Sequence, residues 1–165
     1  MNPRKIILNT EFDEYDSSEQ LSPLEQNLLK CAKESRDLAY APYSNFYVGA
    51  ALLLENNEII SGSNQENAAY PSGLCAERVA IFYSGAKYPN VKVKSLALSC
   101  NSKNSEVNKP LSPCGSCRQV IAETELRQGN KIRIIMSGNS GKIIACEGVE
   151  NLLPLMFKGE FLEKK

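Results

Sequence analysis

Val91-Lys92-Val93-Lys94-Ser95-Leu96-Ala97-Leu98-Ser99-Cys100 begins by alternating and then turns continuously apolar, the pattern of a strand buried within a sheet. A helical segment precedes it, Leu74 to Gly85, and another follows, Cys114 to Gln128, with Val120, Ile121 and Leu126 expected to face inward. A strand set between two such helices implies crossover connections, which are right-handed in nearly all proteins. Upstream, the apolar run Phe46 to Leu54, then Asn56-Asn57, then Glu58 to Ser63 reads as an antiparallel hairpin. Downstream, Lys131 to Met136 and Lys142 to Cys146 read as two short strands joined through Ser137-Gly138-Asn139-Ser140-Gly141, with a short helix after them.

At the other end, Ser22-Pro23-Leu24-Glu25 has the form of a helix start, with serine as cap, proline at the first helical position and Glu25 placed to close a capping box. Leu24, Leu28, Cys31 and Leu38 recur at helical spacing and are expected to form its buried stripe. The elements therefore run helix, two strands, helix, strand, helix, two strands, short helix. That order predicts an α/β protein, a three-layer α/β/α sandwich around a mixed five-stranded sheet. Residues 1–21, with the acid-rich Glu11-Phe12-Asp13-Glu14-Tyr15-Asp16 and no sustained period, are read as a partly ordered extension ahead of a single domain over 22–165.

Composition narrows the function. Nineteen basic and nineteen acidic residues leave no net charge to gather a polynucleotide or an anionic membrane. The run Ile6-Ile7-Leu8 is too short for a signal peptide core and nothing approaches a membrane span, so the chain is expected in the cytoplasm. Histidine is absent, which excludes serine-histidine and cysteine-histidine nucleophiles and leaves sulfur and oxygen as the metal-binding atoms.

Two of the helices open with cysteine-bearing motifs, Cys75-Ala76-Glu77-Arg78 and Pro113-Cys114-Gly115-Ser116-Cys117-Arg118-Gln119. Cys114 and Cys117 lie on one helical face and can point at one ion. Taken alone such a pair fits a redox couple, half of a structural zinc site, or two buried thiols. Cys75 supplies a third donor, whereas Cys31, Cys100 and Cys146 are isolated in apolar runs and read as small buried hydrophobes. Three thiolates hold zinc and leave a fourth position for water, whose pKa then falls from ~15.7 toward ~7. Helix N-termini and the guanidinium groups of Arg78 and Arg118 are placed to offset the negative charge of three sulfurs. Glu77, two positions after the first ligand, is the candidate general acid/base.

In these motifs the sequence resembles the cytidine deaminase family, in its small, all-cysteine, homotetrameric form. The resemblance extends over about residues 22–160 and includes, in order, Ala41-Pro42-Tyr43-Ser44-Asn45-Phe46, Val48-Gly49-Ala50-Ala51-Leu52, Asn64-Gln65-Glu66-Asn67-Ala68-Ala69-Tyr70, both cysteine motifs, and Leu152-Leu153-Pro154 with Phe157. It implies a zinc cofactor, Glu77 as the proton carrier, Asn64 and Glu66 on the sugar hydroxyls, and Phe46 packed on the base. It also implies the backbone of Ala76 on the pyrimidine carbonyl, and Phe157 entering a neighbouring subunit's site. The implied activity is hydrolytic deamination of cytidine and 2′-deoxycytidine to uridine and 2′-deoxyuridine in pyrimidine salvage. The alternatives are deamination of another aminated nucleoside, such as a blasticidin-type antibiotic, and a zinc-stabilised binding module without chemistry.

Overall fold

Ser22 opens the first helix in the computed structural model, which describes residues 3–162. Its hydroxyl accepts from Glu25 N at 3.4 Å while the Glu25 carboxylate accepts from Ser22 N at 3.0 Å, and Pro23 takes the first position. Two otherwise orphaned N–H groups are thereby paired. This helix, α1 (Pro23–Arg36), buries Leu28, Leu29, Ala32 and Ser35, with Cys31 packed at the margin. Leu24 and Leu38, expected in that stripe, are 47% and 79% exposed. Leu38 lies beyond the last turn of α1, and at the other end Leu21, just ahead of the cap, is in the core instead.

The remaining elements are β1 (Asp13–Tyr15), β2 (Phe46–Leu54), β3 (Ile59–Ser63), α2 (Ala76–Lys87), β4 (Val93–Ser102), α3 (Gly115–Gln128), β5 (Arg133–Ser137) and β6 (Ile143–Glu147). Among the described residues they form one mixed sheet of six strands, ordered β1-β6-β5-β4-β2-β3, with β4 and β5 parallel and the other neighbours antiparallel. Period-2 alternation divides the strands between two cores. Ala51, Leu53, Ala97, Ile135 and Ala145 meet α1 on one face, and Ala50, Leu52, Leu96, Leu98, Ile134 and Met136 meet α2 and α3 on the other. The chain moves from β3 through α2 to β4, and from β4 through α3 to β5, in the same direction along the sheet. Two crossovers of one hand in one direction put both helices on one face, completing the three layers.

Small residues set the spacing of the α1 layer. A Cβ on Gly49 would sit 1.9 Å from the Ala32 carbonyl oxygen, so the helix backbone rests directly on β2. On α3, Ile121 is buried and Val120 partly so, but Leu126, expected inward, is 46% exposed, and that end of the helix buries Thr124 and Glu125 instead.

The sheet has six strands where five were expected, because Asp13-Glu14-Tyr15 pairs with Ile143, Ile144 and Ala145. Nothing in its intrinsic β-propensity would select this tripeptide. Its side chains find partners instead: Arg133 donates to Asp13 Oδ2 at 2.8 Å, to Tyr15 OH at 2.7 Å and to Glu25 Oε1 at 3.2 Å, and Lys142 pairs with Glu14. Just upstream, Glu11 N donates to Asn151 Oδ1 at 2.9 Å. The expected short C-terminal helix is replaced by 3₁₀ turns at Val149–Asn151 and Gly159–Leu162, with Pro154 between them. Among the described residues no helix is long and apolar enough to cross a membrane.

Candidate active site

The N-termini of α2 and α3 converge on the same face of the sheet, and each begins on a cysteine. Cys75 is the N-cap of α2 and Cys114 that of α3, with Cys117 in the first turn of α3. Cys75 Sγ lies 3.8 Å from Cys114 Sγ, which lies 3.5 Å from Cys117 Sγ, and all three fall within 4.8 Å of one another. A tetrahedron with Zn–S bonds of ~2.3 Å has edges of about 3.8 Å, so the two separations that involve Cys114 are already close to those that zinc requires. Cys114 is exposed and Cys117 buried, which leaves the cluster open on one side. Among the described residues the other cysteines lie apart from it: Cys100 and Cys146 are buried in β4 and β6, and Cys31 is on α1.

Within the cluster the thiolate is favoured at Cys75. Hydrogen bonding with Cys117 draws the Cys75 thiol down to about 5 against the opposing effect of burial, and Arg78 adds to the lowering. The same pairing, together with burial, pushes Cys117 up. Arg78 Nη2 donates to Cys75 Sγ at 3.7 Å. Arg118 does not reach the sulfurs in this arrangement; its guanidinium donates to the carbonyls of Pro113 at 2.8 Å and Leu152 at 2.7 Å, and to Ser112 Oγ at 2.8 Å. A fork with three acceptors already engaged has its geometry fixed by them.

Glu77, in the first turn of α2, is only 4% exposed beside this cluster. Burial first, and then the negative charge of Cys75, raise its carboxyl above the usual range. A carboxyl so placed holds a proton more readily than an exposed one, and groups perturbed in this way recur at functional sites. Ala76, fully buried, is the first residue of α2, where a backbone N–H has no intrahelical partner.

A cleft of about 490 Å³ reaches the cluster at Cys75 and is lined by Tyr43, Asn64, Glu66, Tyr70, Cys75 and Arg78 among others, with Cys114, Cys117 and Glu77 outside its lining. Its floor is the loop from β3 to α2, whose Gln65 forms backbone bridges to both Tyr40 and Leu74. Asn64 is anchored to β2, accepting from Val48 N at 2.7 Å and donating to the Phe46 carbonyl at 3.0 Å. Glu66 accepts from the Ser44 hydroxyl and from the backbone N–H groups of Tyr43 and Ser44 at 2.9 and 3.3 Å. The Ser44 hydroxyl first, and then those N–H groups, hold its carboxyl below the usual range. Tyr43 and Tyr70, given no role from the sequence, face each other edge to face across the cleft with ring centroids 6.3 Å apart. Phe46 is half-buried at the start of β2, and Phe157 is 55% exposed in the C-terminal segment. Neither is among the residues lining the cleft within this one chain.

Comparison with known proteins agrees with this arrangement. Residues 22–130 match the model of the cytidine and deoxycytidylate deaminase zinc-binding region. A cytidine deaminase of Halalkalibacterium halodurans is 39% identical over 142 residues, covering 82% of this chain and 95% of that protein. One from Sporosarcina psychrophila is 45% identical over 98 residues, covering 59% of this chain and 68% of the relative. The crystal structure of cytidine deaminase from Burkholderia pseudomallei superposes with a TM-score of 0.68 at 34% identity, over 79% of this chain and 97% of that one. The donor set and the matched region both specify zinc as the metal. With the fold, the three sulfurs and the matched sequence in accord, the chain belongs to the cytidine and deoxycytidylate deaminase family.

Proposed function

We propose that the protein catalyses hydrolytic deamination of cytidine and 2′-deoxycytidine, yielding uridine or 2′-deoxyuridine and ammonia, and so serves pyrimidine salvage in the cytoplasm. The observation that carries this reading is the buried Glu77 carboxyl set beside a three-sulfur cluster, one of whose members, Cys75, lines an open cleft. Zinc, when held by Cys75, Cys114 and Cys117, supplies the Lewis acidity that makes water ionisable near neutral pH. Glu77 accepts a proton from the attacking water and delivers it to ring nitrogen N3 as oxygen adds to C4. It then carries the proton of the new hydroxyl to the amino nitrogen, which departs as ammonia.

Asn64 and Glu66, rigidly mounted at the mouth of the cleft, are assigned to the sugar hydroxyls. Of the four lone-pair directions on the Glu66 carboxylate, three are taken by Tyr43 and Ser44, which leaves an acceptor for a ligand. Phe46 is assigned to the base, and the Ala76 N–H to the pyrimidine carbonyl. Phe157 is assigned to the site of a neighbouring copy in a homotetramer, consistent with its position away from the cleft of its own chain. Residues 22–165 form the catalytic domain in this reading, with 1–21 as an extension. Three cysteines given to zinc and three left as thiols fit a reducing compartment.

Glu77→Gln tests the assignment. The variant is expected to fold and bind one zinc per chain, yet to lose cytidine turnover by ~10² to 10⁴-fold or more, because an amide cannot carry the protons. An ultraviolet assay reads the loss directly. Activity within tenfold of wild type would overturn the role of Glu77. A substrate panel in which an aminated nucleoside antibiotic is processed and cytidine is not would redirect the substrate assignment.

A further inference from the structure

We propose that Arg118 and Gln119 form a two-point clamp that fixes the C-terminal segment 152–157 against the metal-binding turn, and that this clamp governs how tightly substrate is held. The inference rests on the assignment of Phe157 to a neighbouring site. Arg118 and Gln119 follow Cys117 directly in α3. Through Nε and Nη2, Arg118 binds the Pro113 carbonyl and Ser112 Oγ, the two residues immediately before Cys114, and through Nη1 it binds the Leu152 carbonyl. Gln119 Nε2 donates to the Phe157 carbonyl at 2.9 Å. Two consecutive side chains thus grip both ends of a six-residue segment that is far away in sequence, and one of them also fixes the turn that presents Cys114.

The segment needs such support. It lies between two 3₁₀ turns, in neither a strand nor an α-helix, and contains Pro154, which donates no backbone hydrogen bond. Behind it, the buried Glu125 of α3 accepts from Val149 N at 3.1 Å, so the same helix also holds the entry to the segment. A segment ordered in advance spares the cost of ordering it each time a ligand binds. The effect therefore falls on the Michaelis constant more than on the chemical step. Arg118 and Gln119 are positioning residues that act through Phe157 and touch neither substrate nor metal.

Arg118→Lys keeps the positive charge but offers a single ammonium that cannot span three acceptors. Gln119→Leu keeps the bulk and removes the donor. For each, KM for cytidine is expected to rise about three- to tenfold with kcat within about twofold and zinc stoichiometric, the effect of losing one or two directed hydrogen bonds outside the reacting centre. Gln119→Leu made in a Phe157→Ala background is expected to add little further, because the two changes disable one device. If Phe157→Ala itself leaves KM unchanged, the borrowed-ring reading fails and the clamp fails with it. If Phe157→Ala raises KM while Gln119→Leu does not, or if the two effects multiply independently, the clamp alone is overturned. Gln119→Leu, which leaves every bond of the metal turn in place, decides the matter even where the arginine variant does not fold.

Discussion

The pairing of Cys114 with Cys117 was legible in the sequence because a three-residue step at a helix start is local. The fold brings Cys75, the N-cap of another helix, to the same cluster, with Glu77, the proposed proton carrier, two positions further on. Cys114→Ala is accordingly expected to abolish stoichiometric zinc while Cys100→Ala retains it, since Cys100 Sγ faces the Ser137 carbonyl inside the sheet; metal analysis of the two purified variants makes the comparison. Arg118 was read toward sulfur because its neighbour in sequence is a ligand, but one of its partners is Leu152, and no spacing rule reaches across 34 positions. The same limit applies to Asn64 and Glu66. Their anchors at Phe46, Val48, Tyr43 and Ser44 belong to the preceding strand and loop, so without a resemblance the stretch reads only as a polar loop.

At the scale of elements, helix starts and the central strand could be read directly, because capping residues and period-2 patterns are written in consecutive positions. The buried face of α1 was read less well, since it depends on where the helix stops and on which neighbour fills the core beside it. Glu25 belongs both to the cap of α1 and to the Arg133 cluster. Partial burial would raise its pKa, but the bonds from Ser22 and Arg133 prevail and lower it. A folded-state pKa below the unfolded value means stability that is present above the unfolded pKa and lost as pH falls through the folded one. Glu25→Gln should therefore cost ~1 kcal/mol at pH 7, the usual scale of a cap. The difference from wild type should hold down to about the ordinary value of 4.5 and shrink only as pH falls below it, which urea denaturation at several pH values would measure. Gly62 in β3 offers a second test. A Cβ there would lie 2.7 Å from Ala80 N and 2.8 Å from the Ala76 carbonyl, backbone atoms of the helix that carries Glu77. Gly62→Ala should cost about 1–3 kcal/mol of stability. By pushing α2 away from the sheet it should also lower kcat by roughly ten- to a hundredfold, since small misplacements at a reacting centre are costly.

For the molecule as a whole, a mixed sheet covered on both faces followed from the order of elements, and the sixth strand did not, because β1 is held by the side chains of Arg133 in β5 and Lys142 just ahead of β6 and not by its own apolar pattern. Its presence has a consequence for enzymatic digestion of the folded protein. A protease needs chain that can leave its partners, and the stretch ahead of β1 is exposed and outside regular structure, tied at Glu11 N by one side-chain bond to Asn151, whereas Glu14 lies within the ladder with β6. A glutamate-directed protease should therefore cut after Glu11 well before it cuts after Glu14. Mass spectrometry of a short digestion would show a core beginning at Phe12, and cleavage after both glutamates at equal rates would mean that the strand is not docked in solution. Trimmed at Glu11, the core keeps Asp13 and Tyr15 on Arg133, so the cut should leave deaminase turnover intact, giving a natural boundary at which the arm can be removed without opening the sheet edge.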